Sequence, residues 1–188
     1  VAAGDVQRTV AECQAVSRQW SAAVVTRSSM TGIEHLNQAM EKGPTVILGN
    51  HLSYFDATAT DAVIAKHSLE TANRIVFAAG PKVYQSLFRR VAAAGINTLP
   101  VPQSSRLSHT ENLPPREFAR LIHASLDSAK QLLSRGDALL VYPEGSRSRS
   151  GRLGPFIAGV HRYLNIPGLQ VVPLAITGTQ AVMPVGAR

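Results

Sequence analysis

The sequence is short of cysteine and of acidic residues, and both shortages narrow what the protein can be. Cys13 is the single cysteine, so no disulfide can form within the chain, and a reducing compartment is favoured. Asp and Glu total 12 against 19 Lys and Arg, which gives a formal net charge of +7. This excess favours an anionic partner: nucleic acid, anionic lipid headgroups, a phosphorylated substrate or an acidic carrier protein. A solvated basic surface without any partner would give the same composition.

Several longer sequence patterns are also missing. No apolar run approaches the roughly eighteen residues of a membrane-spanning helix, and there is no secretory signal region. The absence of a Gly-x-Ser-x-Gly elbow removes the nucleophile of a serine hydrolase, and neither a Walker loop nor a dinucleotide fingerprint occurs. The histidines and the lone cysteine lack metal-ligand spacing, so we expect no metal and no bound cofactor.

The apolar residues that are present alternate between strand-like and helix-like spacing. Five short apolar runs bounded by turn residues predict strands over residues 45–49, 74–79, 96–101, 138–142 and 170–176. The segments between them carry apolar residues at helical spacing, including a helix from Gly80-Pro81 to Gly95 and a short helix over 156–164. This alternation predicts one layered α/β domain, with a largely parallel or mixed central sheet flanked by helices.

The first 30 residues are predicted to form an N-terminal amphipathic helix, and residues 31–188 a core that need not be complete at its C-terminus. The helix is expected over residues 5–26, with an apolar stripe that is buried against the core or lies on a bilayer surface. Its polar face mixes acidic and basic residues, which favours packing on the core. The stripe consists of Val6, Val10, Cys13, Val16, Trp20 and Val24. Cys13 is therefore expected to be buried.

A first group of polar residues, NHLSYFD at residues 50–56, follows the first predicted strand and enters a helix. Ligands of parallel sheets bind at the carboxyl ends of strands, which is where this segment lies. A bend between His51 and Asp56 would let the carboxylate accept a hydrogen bond from one ring nitrogen and leave the other basic. The pair alone is weak support, because Asp56 also fits a helix N-cap and His51 a structural histidine.

A second group, YPEGSRSR at residues 142–149, follows the fourth predicted strand. Arg147 and Arg149, together with turn amides, would cradle a phosphate, because a guanidinium matches phosphate oxygens in bidentate fashion. Glu144 would hydrogen-bond an acceptor hydroxyl or brace the imidazole. Alternatively, these residues are a Pro-Glu-Gly turn with a solvated basic tail.

Taken together, the two groups resemble the first and third motifs of the PlsC-type glycerolipid acyltransferase family, the lysophosphatidic acid and glycerol-3-phosphate acyltransferases. They occur in the family's order and are about ninety residues apart. Pro155-Phe156 with Gly159, and VVPL at residues 171–174, extend the resemblance over residues 30–180. It implies a single acyltransferase domain over residues 1–188.

The resemblance implies transfer of a fatty acyl group from a thioester to a hydroxyl of a phosphorylated glycerolipid precursor or lysolipid. The thioester would be acyl-coenzyme A or acyl carrier protein, as co-substrate. His51 would be the general base, oriented by Asp56. The enzyme would be a peripheral protein on the cytoplasmic face of an anionic membrane, and it would bind no specific nucleic acid. The residues implied at the substrates are Glu144, Gly145, Ser146, Arg147, Arg149 and Pro173.

One part of the sequence departs from the family pattern. The family's second motif ends its strand with an arginine taken to contact the acceptor phosphate, but GINTLPVP at residues 95–102 has none before Arg106. Either Arg106 reaches back to the site, or the acceptor is not a simple glycerol phosphate. Two other functions stay open: a non-catalytic module binding anionic lipid or nucleic acid, and a thioester hydrolase.

Overall fold

A computed structural model describes residues 4–103 and 113–184 and contains one five-stranded sheet. Every strand pair in these ranges is parallel, and the strand order is β3-β2-β4-β1-β5. The strands are β1 Thr45–Gly49, β2 Ile75–Ala79, β3 Thr98–Pro100, β4 Ala138–Val141 and β5 Gln170–Leu174. All five lie inside the ranges that the sequence predicts, so the α/β prediction is confirmed, with a parallel sheet.

Helices cover both faces of the sheet. They are α1 Ala11–Val24, α2 Ile33–Lys42, α3 Asp56–His67, α4 Leu69–Asn73, α5 Leu87–Ala94, α6 Pro115–Ser134, α7 His161–Leu164 and α8 Thr179–Val182. Short 3-10 turns occupy Pro81–Tyr84 and Ala158–Val160. The two helices predicted over residues 80–95 and 156–164 are therefore each divided into a 3-10 turn and an α-helix.

The central strands supply side chains to two separate apolar layers. Val46 of β1 packs with Leu132 and Leu133 of α6, whereas its neighbour Ile47 packs with Leu36 of α2 and Ile64 of α3. Successive side chains of a strand point to opposite faces, so a strand covered on both faces must be apolar throughout. This explains why these strands are continuous apolar runs in the sequence.

The strand order determines which loops become neighbours. β1 lies between β4 and β5, with Leu48 beside Val141 on one side and beside Pro173 on the other. Because the strands are parallel, the segments that follow β1 and β4 leave the same edge of the sheet. The NHLSYFD segment and the arginine-rich turn (residues 144–149) therefore meet, although about ninety residues separate them.

The expectation that the apolar stripe of α1 packs on the core is wrong, while its alternative, contact with a bilayer surface, stays a prediction. The helix packs on α3 through its polar side, where Arg18 donates two hydrogen bonds to Asp61, at 2.7 and 3.0 Å. Burial raises the pKa of the Asp61 carboxyl, and the hydrogen bonds and charge of Arg18 oppose that rise. An acid buried on α3 needs a cationic partner, and only the polar side of α1 provides one.

The apolar stripe of α1 consequently faces solvent. Val16, Trp20 and Cys13 are exposed, so the expectation that Cys13 is buried is also wrong. Trp20 nevertheless contacts Phe55 edge-to-face, with ring centroids 5.5 Å apart. Across residues 4–103 and 113–184, no helix combines the length and apolarity needed to cross a bilayer.

Candidate active site

The imidazole of His51 is held by a buried carboxylate just beyond the end of β1. Nδ1 lies 2.8 Å from Oδ2 of Asp56, which is fully buried, whereas the His51 side chain is 18% exposed. Because a carboxylate only accepts, Nδ1 carries the proton and donates it. No group in the described ranges hydrogen-bonds Nε2, which is thereby left as the basic atom of the ring.

The carboxylate of Asp56 is surrounded by donors. Oδ2 also accepts from the backbone amides of Leu52, at 2.6 Å, and Ser53, at 2.9 Å, and Oδ1 accepts from the hydroxyl of Thr179. A capping carboxylate would bind amides further along its own helix, but these amides precede α3. The side chain of Asp56 therefore orients the histidine segment and does not cap α3.

A tyrosine ring covers one face of the imidazole. Tyr142 and His51 are stacked, with ring centroids 4.2 Å apart and an interplanar angle of 15°. Burial, followed by the negative charge of Asp56, raises the pKa of the Tyr142 phenol well above its ordinary value. The phenol is therefore neutral at physiological pH. Tyr142 and Asp56 together restrict both the tilt and the rotation of the imidazole.

Glu144 holds the backbone of His51 rather than its ring. Its Oε1 accepts from the His51 amide at 2.9 Å, and its Oε2 accepts from the Gly154 amide, also at 2.9 Å. The carbonyl of His51 in turn accepts from the Ser148 amide at 2.7 Å. The arginine-rich turn thus clamps the residue that carries the imidazole on both sides of its Cα.

Gly145 provides a conformation that the turn requires. Its φ of +66° lies in the left-handed region, and a Cβ atom there would come within 2.9 Å of Ile157 Cδ1. The Gly145 amide donates to the Tyr142 carbonyl at 3.1 Å, and its own carbonyl accepts from Gln103 Nε2 at 3.0 Å. The turn is consequently compact and joined to the segment after β3.

Two arginines meet at the ring of Tyr54. The guanidinium carbon of Arg147 lies 3.6 Å from the ring centroid, and that of Arg89 lies 5.1 Å from it. Neither arginine has a carboxylate partner among residues 4–103 and 113–184. Two guanidiniums without carboxylate partners around one aromatic ring are suited to binding an anion, since arginine both stacks on aromatic faces and binds phosphate.

One cavity of about 860 Å³ is bordered by His51, Tyr142, Glu144, Gly145, Tyr54 and the two arginines. The cationic side chains of the lining are Lys82, Arg89, Arg147, Arg149 and Arg162. Glu144 is its one acidic side chain within the described residues, and two amides already occupy that carboxylate. The remaining wall is largely apolar and is built from Phe55, Phe77, Ile96, Phe118, Ile122, Leu126 and Val160, among others. The cavity therefore suits a ligand with an anionic part and a long apolar part.

The structure brings most of the predicted site residues together. The residues that line the cavity are His51, Glu144, Gly145, Ser146, Arg147 and Arg149. Asp56 lies directly behind His51. Pro173 is exposed on β5 and does not border the cavity, and Arg106 lies outside the described residues. Substrate contacts by any of these residues stay predictions. No three potential metal ligands cluster in the parts of the chain that the structure describes.

Sequence reasoning missed three side chains at this site. Tyr54 lies inside the NHLSYFD segment and Tyr142 begins the YPEGSRSR segment. Nothing in their spacing indicates that arginines stack on Tyr54 or that Tyr142 stacks on His51. Nothing in the sequence indicates that Arg89 belongs to the site, because its helix contains none of the motifs. Its place at the site depends on how α5 packs after the 3-10 turn.

Comparison with known proteins identifies one family. A family model described as Acyltransferase matches residues 27–177. A chloroplastic 1-acyl-sn-glycerol-3-phosphate acyltransferase of Brassica napus is 38% identical over 63 residues, which are 34% of this chain and 18% of that protein. An Arabidopsis thaliana protein of the same description matches to the same extent. A probable 1-acyl-sn-glycerol-3-phosphate acyltransferase of Mycoplasma pneumoniae is 35% identical over 68 residues, 36% of this chain and 26% of that protein.

Proposed function

The chain belongs to the Acyltransferase family, and from that premise we propose that it moves a fatty acyl group from a thioester to a lipid-precursor hydroxyl. The donor is acyl-coenzyme A or acyl carrier protein, and the acceptor is a phosphorylated glycerolipid precursor or a lysolipid. The observation that carries the proposal is a carboxylate-bound imidazole on a cavity with an arginine pair and a long apolar wall. The enzyme works as a peripheral protein on the cytoplasmic face of an anionic membrane.

The chemistry needs no protein nucleophile. Nε2 of His51 takes the proton of the acceptor hydroxyl as that oxygen attacks the thioester carbonyl. The C–O bond forms, the C–S bond breaks, and the departing thiolate receives a proton from the imidazolium. General-base catalysis of this kind contributes about 10²–10⁴ in rate. Asp56 stabilises the imidazolium while it exists, because its carboxylate lies 2.8 Å from Nδ1.

The two parts of the cavity accommodate the two parts of the substrates. The acyl chain lies along the apolar wall, away from water, and the acceptor phosphate binds Arg147 and Arg89 beside Tyr54. In this arrangement another arginine takes the place of the one that the second motif lacks. Arg89, on α5, supplies a second guanidinium from a different element of the fold.

A free-thiol assay with acyl-coenzyme A tests the proposal. We expect thiol release only when an acceptor is present, from a panel of glycerol phosphate, lysophosphatidate and other lysolipids. Release at the same rate in water alone would identify a thioester hydrolase. If no acceptor yields a product, while the protein binds anionic vesicles or DNA in a salt-sensitive way, it is a non-catalytic binding module.

Replacing either arginine of the pair should weaken binding of a phosphorylated acceptor. For Arg147→Ala we expect KM for the acceptor to rise about ten- to a hundredfold, since charged hydrogen bonds contribute roughly 1.5–3 kcal/mol each. Arg89→Gln should raise it about tenfold, because its guanidinium lies further from the Tyr54 ring. The measurement is KM for a phosphorylated acceptor against an uncharged analogue.

Arg90→Gln is the matched control. Arg90 is the next residue on α5, is exposed and does not border the cavity. Its loss removes the same charge from the same helix and should leave KM unchanged. If Arg89→Gln and Arg90→Gln behaved alike, or if the uncharged analogue were affected equally, Arg89 would not bind the phosphate.

A further inference from the structure

Beside the cavity lies a segment that exposes several large apolar side chains to solvent. Residues 150–157, here called the outer loop, connect the arginine-rich turn to the 3-10 turn before α7. In this loop Leu153 is 62% exposed, Phe156 is 54% exposed, and Ile157 is exposed as well. Single exposed apolar residues are normal on a protein surface, but several bulky ones on one short segment mark an interaction site.

The backbone holds these side chains outward. The Gly154 amide donates to Glu144 and the Ile157 amide donates to the Pro143 carbonyl, both at 2.9 Å. These two hydrogen bonds fix the stretch that contains Leu153 and Phe156 against the arginine-rich turn. The exposure of the two side chains is therefore a property of a formed loop.

The charge around the outer loop has one sign. No Asp or Glu follows Glu144 in the sequence, whereas arginines stand at positions 147, 149, 152 and 162. Within residues 145–184, none of these arginines is paired with a carboxylate. The exposed apolar side chains thus stand among arginines that have no carboxylate partner within the described residues, a combination typical of segments that bind anionic membrane surfaces.

We infer that the outer loop docks the protein on an anionic lipid bilayer. Leu153 and Phe156 enter the boundary between headgroups and acyl chains, and the arginines contact lipid phosphates. Because Arg149 and Ile157 also line the cavity, docking sets the cavity opening against the membrane. An acidic carrier protein would complement the arginines but gives no comparable reason for bulky apolar tips. The reason for docking rests on the proposed function, because the membrane would supply the lipid substrate. Binding to vesicles can nevertheless be measured without any turnover.

Vesicle sedimentation tests the inference directly. The probes are vesicles of phosphatidylcholine alone and of phosphatidylcholine with phosphatidylglycerol. We expect binding to the anionic vesicles that weakens with salt, and a loss of about tenfold in partitioning for the double variant Leu153→Ser, Phe156→Ser. Arg152→Glu, a second variant at an exposed position outside the cavity lining, should also reduce partitioning to anionic vesicles.

Leu69→Ser is the matched control for the apolar side chains. Leu69 is 58% exposed, which is close to the 62% of Leu153. It begins α4, however, and α4 leads into the amino end of β2, at the opposite edge of the sheet. It also precedes Glu70 rather than following an arginine. Leu69→Ser should partition like the wild type. Equal losses in the control and in the double variant would overturn the inference, as would binding to an acidic carrier protein without any binding to vesicles.

The acyl-transfer assay separates docking from catalysis. With a dissolved, monomeric acceptor, the Leu153→Ser, Phe156→Ser variant should turn over as the wild type does, and with the acceptor embedded in vesicles it should be about tenfold slower. Equal slowing with both acceptors would overturn a docking role. A wild type that binds vesicles but transfers no acyl group would refute the proposed function and leave the docking surface standing.

Discussion

Replacing His51 with alanine is expected to reduce acceptor-dependent thiol release by about 10²–10⁴ while the fold is retained. The loss follows because no other group in the described part of the chain is placed to take the proton of the acceptor hydroxyl. The fold should survive because the clamp around this position uses the backbone: Glu144 binds the amide and Ser148 binds the carbonyl. Thiol release, with circular dichroism and a thermal melt of the same sample, is the measurement.

His35→Ala provides the comparison for the His51 variant. His35 is an exposed histidine on α2, and it does not border the cavity. Its replacement should change neither the rate nor the melting temperature. Turnover by His51→Ala at the wild-type rate would refute the proposed mechanism, whereas a melt that collapsed would mean that the side chain is structural.

The second large effect is expected for Asp56→Asn, which should lower kcat by about 10²–10⁴ with little loss of stability. An asparagine fits the same donors. Its carbonyl oxygen replaces Oδ2 for the amides of Leu52 and Ser53, and its amide group donates to the Thr179 hydroxyl, which accepts as readily as it donates. What disappears is the negative charge that stabilises the imidazolium.

Asp61→Asn is the control that separates the loss of the charge beside His51 from the general effect of removing a buried acid. Asp61 lies on the same helix as Asp56 and is also buried, but its partner is Arg18 and it does not line the cavity. Its replacement acts on stability and should leave kcat unchanged. If Asp56→Asn melted earlier at an unchanged rate, Asp56 would be a structural carboxylate and its assignment as the orienting residue would fall.

The parts of the fold that the sequence predicted correctly are those decided by local patterns. Each central strand is covered on both faces and is therefore apolar throughout, which is visible in the sequence as an uninterrupted run. The contact between His51 and Asp56 was predictable for a similar reason. The two residues are five positions apart across a strand-to-helix bend, which leaves few arrangements for their side chains. In one of these arrangements they form the observed hydrogen bond.

The features that the sequence did not reveal depend on partners far along the chain. The side of α1 that is buried was decided by Asp61, an acid on another helix, and not by the apolar stripe of α1 itself. Likewise, Arg89 reaches the site because of how α5 lies after the 3-10 turn, and Tyr142 stacks on His51 because β4 lies beside β1. Such contacts are tertiary, and no periodicity encodes them.

The hydrogen bond from the His51 amide to Glu144 also has a consequence for biosynthesis. A nascent chain that has left the ribosome only as far as α6 already contains His51 and Asp56, but neither Glu144 nor β4. In that state β1 has neither of its neighbours in the sheet, because β4 and β5 have yet to be made. The geometry around His51 therefore forms late, when β4 and β5 insert on either side of β1, and a truncated translation product that lacks them contains the imidazole and its carboxylate without the clamp that positions them.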